Sequence, residues 1–254
     1  MTGTLLGACC LLAAAVSSAC APSVAVAPPE APSTASWRAA RERLASLRRQ
    51  TGSPRTLRIA LGLREPITGR LMNARGAVAL DPPDSLRMVM LGPGGTTALD
   101  LWVERDRFRF AVPALDLMRR GDGATPRESM RGLPVDFLSW WLLRPFEGKL
   151  LHHQRTASGD RFVLRHGAAV IDLQIDAAGV HARRRSARGE GRVEVETVTA
   201  GGFGCVPARY QQAPTGLDIS IRCEGEESRP PNPRAFVDPD LPVPDEEETE
   251  TGDE

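Results

Sequence analysis

The sequence predicts an α+β fold in which a curved antiparallel sheet forms a half-open barrel around helices. Two sets of short alternating segments, separated by turn residues, flank a central apolar helical segment, and an amphipathic helix precedes both sets. Strands that recur about every 8–12 residues with short turns are typical of antiparallel meanders. Because such a sheet leaves its concave face open, we expect an apolar cavity beneath the helices.

The composition supports one domain of moderate size with additional tails. The chain has 254 residues, of which 41% are hydrophobic, so it can bury a core. Nine acids and no base lie between Asp238 and Glu254, which leaves 23 acids and 32 bases, a formal charge of +9, on residues 1–237. The arginines are spread along the chain apart from Arg183–Arg185, unlike a nucleic-acid footprint. We therefore expect no nucleic-acid binding.

The first 19 residues have the features of a signal peptide. Leu5–Val16 is apolar and uncharged, but it is shorter than the roughly 20 residues that a membrane-spanning helix needs. Cys20 follows Ser17-Ser18-Ala19 where a bacterial lipoprotein is acylated, and residues 20–35 are rich in Ala, Pro and Ser, as in a tether. We predict export and lipid attachment at Cys20. Secretion with cleavage near Ala19 and no lipid stays open, since lipoproteins usually have Leu where Ser17 stands.

The other cysteines are consistent with an oxidising compartment. Without residues 1–19 three cysteines remain, and lipidation of Cys20 leaves Cys205 and Cys223 as a pair. Pro214 lies midway between them in a turn flanked by strand patterns, so a hairpin would place the two cysteines opposite each other, within disulfide reach. Two free buried thiols are the alternative, and export favours the disulfide.

The folded domain is predicted to span residues 36–225 and to begin with a helix at residues 36–49. Ser36 is a plausible N-cap for this helix. An apolar stripe at helical spacing runs along it, namely Trp37, Ala40, Leu44 and Leu47. We expect this stripe to face the core.

The first strand set contains four segments with alternating apolar residues. These residues are Leu57, Ile59, Leu61 and Leu63; Leu86, Met88 and Met90; Leu99, Leu101 and Val103; and Phe108, Phe110 and Val112. Between the second and third segments, Gly92, Pro93, Gly94 and Gly95 form a glycine-rich turn. The turn lacks the Lys of a phosphate-binding loop and joins two strands, so we interpret it as a hairpin turn.

Helical signals and a second strand set follow. Thr125-Pro126-Arg127-Glu128 has a capping-box pattern, and Val135–Leu143, after Pro134, is apolar nearly all round, so we expect it to be buried. The later strand segments are 161–164, 169–175, 191–198 and the hairpin between Cys205 and Cys223. From Glu226 the chain becomes Pro-rich and then acidic, so we expect residues 226–254 to form a disordered tail.

No catalytic, metal or cofactor site is expected. The chain contains no Gly-x-Ser-x-Gly nucleophile elbow. His152 and His153 are adjacent and would point to opposite faces of a strand, while His166 and His181 have no Cys or carboxylate at ligand spacing. We expect a binding protein and not an enzyme.

One pair of carboxylates shares a strand face. Glu194 and Glu196 alternate with Val193 and Val195. Alternation of this kind is typical of a strand with one solvated face, so we expect the two glutamates to be exposed.

Three stretches of the sequence carry a family resemblance. They are the opening helix with Trp37, Leu44 and Leu47 and the following Thr51-Gly52; the strand–turn–strand segment 86–101; and Arg131-Gly132-Leu133-Pro134-Val135 with Leu138 and Trp140-Trp141. Together with a lipidated cysteine before the domain, they resemble the LolB-like outer-membrane receptors of the LolA/LolB-type lipoprotein-carrier superfamily. The resemblance implies a half-open antiparallel barrel whose cavity accepts the acyl chains of lipoproteins.

The resemblance also suggests roles for particular residues. The cavity candidates are Leu86, Met88, Met90, Leu99, Leu101, Phe110, Leu138 and Trp141, and a filled core at these positions is the alternative. In the receptor branch, the loop that matches Gly92–Gly95 carries a Leu that helps to hand cargo to the membrane. Here that position is Gly94, which removes the apolar tip.

Two functions are therefore expected as alternatives. The first is a monomeric lipoprotein, anchored at the periplasmic face of the outer membrane, that binds acyl chains from lipoproteins or a periplasmic carrier. The methionines of the second strand segment favour this function. The second is a tethered, non-catalytic envelope module that kept the fold and lost transfer, which Gly94 and the acidic tail favour.

Overall fold

The computed structural model describes residues 33–64, 69–125, 135–187, 193–213, 215–227 and 229–241. Helix α1 (Thr34–Thr51) precedes the first six strands, and helix α2 (Val135–Leu143) precedes the other seven. The strands are β1 (Arg55–Arg64), β2 (Leu71–Asp81), β3 (Ser85–Leu91), β4 (Thr97–Glu104), β5 (Arg107–Val112), β6 (Leu117–Gly121), β7 (Lys149–Arg155), β8 (Gly159–His166), β9 (Ala169–Asp176), β10 (Gly179–Ala187), β11 (Val193–Ala200), β12 (Ala208–Gln212) and β13 (Leu217–Glu227).

All of these strands belong to one antiparallel sheet. Their order is β6-β5-β4-β3-β2-β1-β13-β12-β11-β10-β9-β8-β7, so two meanders are joined where β1 pairs with β13. Within the described residues, the edge strands β6 and β7 do not pair with each other, and the curved sheet stays open. This architecture confirms the predicted α+β half-open barrel.

The two helices pack on one face of the sheet, which we call the inner face. Helix α1 buries Ala40, Leu44 and Leu47 in the same core as the inward side chains of the strands, as its stripe predicted. Arg48 holds its C-terminal part, donating from Nε to the carbonyl oxygen of Phe146 at 3.0 Å. In the part of the chain that the structure describes, no helix is both long and apolar enough to cross a membrane.

Helix α1 begins two residues before the predicted start. Ser36, the predicted N-cap, therefore lies inside the helix, whose first residue is Thr34. Ser33 precedes it directly and has the same capping chemistry as Ser36, so sequence preference alone does not choose between the two positions.

Four strands, β2, β6, β7 and β10, were not predicted, because their apolar alternation is weak. In β2 the buried apolar side chains are Val78 and Leu80, both near its end. The short strand β6 has no buried residue. In β7 the one buried residue is Leu150. In β10 the run Arg183–Arg185 conceals the alternation, since the middle arginine faces inward and the outer two are exposed.

The chain continues in ordered form beyond the predicted domain end at residue 225. Strand β13 extends to Glu227, and residues 229–241, which we call the C-terminal strap, pack on the outer face of β4–β6. Trp102 on β4 donates from Nε1 to the carbonyl oxygen of Phe236 at 2.7 Å. The predicted disordered tail is therefore wrong for residues 226–227 and 229–241, because an aromatic ring and arginines on the sheet bind this segment.

Several predictions fall outside the described residues. These are the signal peptide with the lipid site Cys20 and most of the tether, the capping box after Thr125, and the acidic residues beyond Leu241.

Candidate functional site

The eight predicted cavity residues meet in a single core on the inner face. Seven are buried, namely Leu86, Met88, Met90, Leu101, Phe110, Leu138 and Trp141. Leu99 is partly buried and packs at the margin of the same core. Alternation along β3–β5 directs the strand residues inward, and α2 supplies Leu138 and Trp141 from above.

This core leaves little free space. Met88 and Trp141 line a cavity of about 20 Å³, together with Leu142 and Val206. A cavity of this size has room for about one water molecule. The space beside Met88 and Trp141 is therefore filled by side chains of the sheet and helices, which is the filled core that the sequence left as the alternative to an open cavity.

The Gly92–Gly95 segment forms the predicted hairpin turn between β3 and β4. The amide of Gly92 donates to the carbonyl oxygen of Thr96 at 2.8 Å, closing the turn. Gly94 and Gly95 have φ values of 81° and 77°, a region that favours glycine because a Cβ crowds the backbone there. A Cβ on Gly94 would have no neighbour within 4 Å, so the turn projects into solvent.

Exposed apolar side chains cluster at the same end of the sheet as this turn. Of nine large apolar residues exposed in the described part of the chain, five lie where β2 and β6 begin or where β3 and β5 end. They are Leu71, Met72, Leu91, Leu115 and Met118. Antiparallel pairing of β2 through β6 brings these termini to one end, which we call the apolar end. Sequence reasoning missed it because β2 and β6 were not recognised.

The fold can be compared with known proteins. No protein-family model matches the sequence, and no curated protein matches it. Among solved structures, a LolA-superfamily protein from Nitrosomonas europaea is similar with a TM-score of 0.53 at 11% identity, over 78% of this chain and 97% of that chain. The chain shares its fold with this protein. At this identity the similarity concerns the fold alone.

Two further solved structures are more distant. A DUF1329-family protein from Desulfovibrio piger has a TM-score of 0.49 at 13% identity, over 78% of this chain and 96% of that chain. A putative outer-membrane lipoprotein-sorting protein domain from Vibrio parahaemolyticus has a TM-score of 0.41 at 11% identity, over 77% and 95%.

The LolA-like sheet carries the predicted disulfide. Cys205 and Cys223 are bonded, with their Cα atoms 5.2 Å apart. Cys223 lies on β13, while Cys205 lies in the segment that precedes β12 and not on the strand itself. The bond therefore ties the β11–β12 connection to the junction between the two meanders.

A buried polar cluster occupies the inner face of β10–β12. Glu194 and Glu196 are only 5% and 4% exposed, so the prediction that they are solvated is wrong. The register of β10 and β11 places Glu196 opposite Arg184 on the inner face, while Val193 is exposed. Alternation of Glu with Val does not indicate which of the two residue types faces inward. In this strand the glutamates face inward, and Glu196 forms an ion pair with the buried Arg184.

Both glutamate carboxylates of this cluster accept hydrogen bonds from neighbouring side chains. Arg184 Nη1 donates to Glu196 Oε2 at 3.0 Å, and the Tyr210 hydroxyl donates to Glu196 Oε1 at 2.8 Å. Gln212 Nε2 donates to Glu194 Oε1 at 3.0 Å. Arg184 also reaches Asp136 of α2, with Nη2 3.7 Å from Oδ2. The cluster thus connects three strands and a helix.

Burial changes the titration of the cluster. It raises the pKa of Glu196, as does the nearby charge of Glu194, while Arg184 and the Tyr210 hydrogen bond act in the opposite direction. Burial likewise raises the pKa of Tyr210, which therefore stays protonated and donates. Because the folded-state pKa of Glu196 is raised, its contribution to stability is complete below its ordinary pKa and is lost as the pH rises through the raised value.

The cluster resembles a structural network more than a reactive site. Arg184 lines a cavity of about 240 Å³ with Asp136, Ser139 and Trp140 of α2, and there its guanidinium is paired with Asp136 and Glu196. In the described ranges, no group of three or more His, Cys, Asp or Glu side chains could hold a metal ion.

Proposed function

We propose that this chain is an exported, lipid-anchored, non-enzymatic protein that contacts acyl chains through its apolar end. The apolar end, with Leu71, Met72, Leu91, Leu115 and Met118 exposed around one end of the sheet, is the observation that carries the proposal. Clustered exposed apolar side chains mark sites of contact with membranes or apolar ligands. The Gly92–Gly95 turn projects from the same end and is the proposed membrane-facing loop, with neighbouring side chains supplying the apolar surface that Gly94 lacks.

An acyl chain that enters the core must displace side chains, since the cavity beside Met88 measures only about 20 Å³. Met88 and Met90 are unbranched and can repack around a guest at lower cost than branched residues. Trp141 and the partly buried Leu142 of α2 would move with them. We propose that the remaining cavity candidates contact the chain after this rearrangement.

The proposed location is the periplasmic face of the outer membrane, with a lipid on Cys20 as anchor and lipoprotein acyl chains or a periplasmic carrier as partners. The signal-peptide pattern before Cys20 and the fold shared with a LolA-superfamily protein support this assignment. The protein would act as a monomer that receives or passes on an acyl chain.

The second candidate function is a tethered envelope module with no transfer role. The filled core favours it, because a protein that holds no apolar ligand has no need of an open cavity. The two functions differ in one measurable property, which is saturable binding of an acyl chain.

A fluorescent fatty-acid probe separates the two functions. We would use residues 21–254, since the compact unit begins at Thr34 and the acyl anchor would compete with the probe. The wild-type chain should bind saturably, and the double variant L115S/M118S should bind about tenfold more weakly, a loss of roughly 1.4 kcal/mol of apolar contact.

The matched control is V237S/L241S, which changes two apolar residues that are similarly exposed but lie on the C-terminal strap. This control should bind the probe as the wild type does. Absence of saturable binding in the wild-type chain would favour the tethered module, and equal losses in both double variants would contradict a role for the apolar end.

A further inference from the structure

The outer face of β7–β10 carries a row of cations across the strands. Lys149 on β7 lies opposite Arg165 on β8, Arg165 opposite Val170 on β9, and Val170 opposite Arg185 on β10. The three cationic side chains are exposed. Like charges directly opposite each other on a sheet repel, so the row of Lys149 and Arg165 is unfavourable for the isolated fold.

Further basic side chains enlarge this row into a surface. Arg183 and His181 are exposed on the same face of β10, and Arg161 lies on the same face of β8. We call these side chains and the row the outer basic face, which comprises Lys149, Arg161, Arg165, His181, Arg183 and Arg185. Asp172 is the acid among them, and Arg161 binds it through two nitrogens, with Nε 2.9 Å from Oδ1. Within the described residues, Arg165, Arg183 and Arg185 are in no ion pair.

The other half of the sheet shows how this protein satisfies a similar row. On the outer face of β3–β6, Arg87 lies opposite Trp102, Trp102 opposite Arg109, and Arg109 opposite Arg120. Acids of the C-terminal strap bind Arg109 and Arg120, while Asp100 of β4 binds Arg87 and Arg109. The indole of Trp102 donates a hydrogen bond to the strap backbone. Two arginines of this row are thus matched by an acidic segment that also accepts a hydrogen bond from the aromatic residue of the same row.

We propose that the outer basic face of β7–β10 binds the surface of an anionic lipid bilayer. Strands lie about 4.8 Å apart, so the cations extend over roughly 15 Å of a convex sheet and suit a planar anionic surface better than a single ion. Half-buried Val163 and Val170 lie between the cations, and exposed Val193 stands on the adjacent strand. Lysines and arginines that approach an anionic leaflet each favour binding. This binding needs no acyl chain in the core.

Vesicle co-sedimentation tests the proposal with residues 21–254, which lack the acyl anchor. Vesicles of phosphatidylcholine with about 30% phosphatidylglycerol should bind the chain at low salt, and pure phosphatidylcholine vesicles should not. The triple variant R165Q/R183Q/R185Q should partition about 100-fold more weakly, since each of the three cations contributes roughly fivefold at an anionic surface.

The matched control is R38Q/R41Q/R49Q, which removes the same charge from exposed positions of α1. This control should retain most of the binding. The proposal would be overturned if the wild-type chain bound the anionic vesicles no more strongly than pure phosphatidylcholine vesicles. Equal losses of binding in both triple variants would overturn it as well. Tighter binding to a duplex DNA of about 30 base pairs than to the vesicles at the same salt would also overturn it, in favour of a nucleic acid.

The acidic residues after Leu241 provide a second measurement, because they can compete for the same cations. A chain that ends at Leu241 should bind the anionic vesicles more tightly than the longer chain, and the three arginine substitutions should abolish the gain. A gain that survives R165Q/R183Q/R185Q would contradict the outer basic face as the site. The fatty-acid binding assay contains no vesicles. Failure of vesicle binding therefore leaves the proposed acyl-chain binding untouched, and failure of fatty-acid binding leaves the outer basic face untouched.

Discussion

The outer faces of the two sheet halves have similar side chains and different surroundings. The row Arg87–Trp102–Arg109–Arg120 on β3–β6 is covered by the C-terminal strap, whose Asp238 and Asp240 bind two of its arginines. The row Lys149–Arg165–Val170–Arg185 on β7–β10 has its cations exposed. The difference arises because only the first row has its acids on a packed segment of the same chain. A basic sheet face can therefore be a structural contact or a free surface, depending on what packs against it.

The inner face sharpens this comparison within a single strand. Arg184 is 3% exposed and bound to Glu196, whereas Arg183 and Arg185 on either side of it are exposed. If the outer arginines serve binding and the inner one serves folding, substitutions of the three should differ strongly in their effect on stability.

The largest effect is expected from Arg184→Ala. It leaves the carboxylate of Glu196 buried without its cationic partner, which should lower the free energy of unfolding by about 4 kcal/mol. Arg183→Ala and Arg185→Ala should change it by less than about 0.5 kcal/mol. Urea unfolding of the three variants measures this. A comparable loss for an outer arginine would break the distinction between the two faces of β10.

The next largest effect is expected from Trp102→Ala. The ring is 1% exposed beneath the strap, so truncation should lower the free energy of unfolding by about 3 kcal/mol. Val170→Ala, at the apolar position of the other row, should cost less than about 1 kcal/mol because Val170 is only half-buried. Both values come from denaturant unfolding. Equal costs would mean that the two rows are covered to the same extent.

The smallest effect is expected from Asp240→Asn. Asp240 is bound by Arg109 Nε at 2.9 Å and by Arg120, but its side chain is 37% exposed, so the loss should be about 0.5 kcal/mol. The difference between wild type and variant should shrink further at about 1 M salt, where the Debye length falls to roughly 3 Å. Thermal unfolding at two salt concentrations measures it. A loss that is independent of salt would indicate that the strap is held by packing and not by charge.

Regular patterns were the part of this fold that the sequence predicted well. The alternation of Leu86, Met88 and Met90 and the stripe of Ala40, Leu44 and Leu47 both identify residues that are buried. Alternation and helical spacing are local properties of the sequence. Because they place the apolar residues on one face of the strand or helix, they identify the face that packs against the core. Strand β2 was missed because its buried residues, Val78 and Leu80, are too few to form such a pattern.

The candidate site was predicted less completely. The cavity residues meet as expected, but the space between them depends on how far α1 and α2 approach the sheet, and that distance is not encoded in any one segment. The inward orientation of Glu194 and Glu196 likewise depends on the register that places Glu196 opposite Arg184. The apolar end joins residues as distant as Leu71 and Met118, which come together only through strand pairing.

The sequence by itself determined the fold class, the opening helix, most strands and the cysteine pair, because each depends on local periodicity or on a symmetrical turn. Only the tertiary structure decided which arginines face the core, that the core beside Met88 is filled, and that Asp238 and Asp240 bind one outer face while the other stays exposed. The physical reason is that the burial and pairing of a charge depend on partners brought from elsewhere in the chain. An arginine has the same local pattern whether its carboxylate lies across the next strand, on a distant strap, or on another surface altogether.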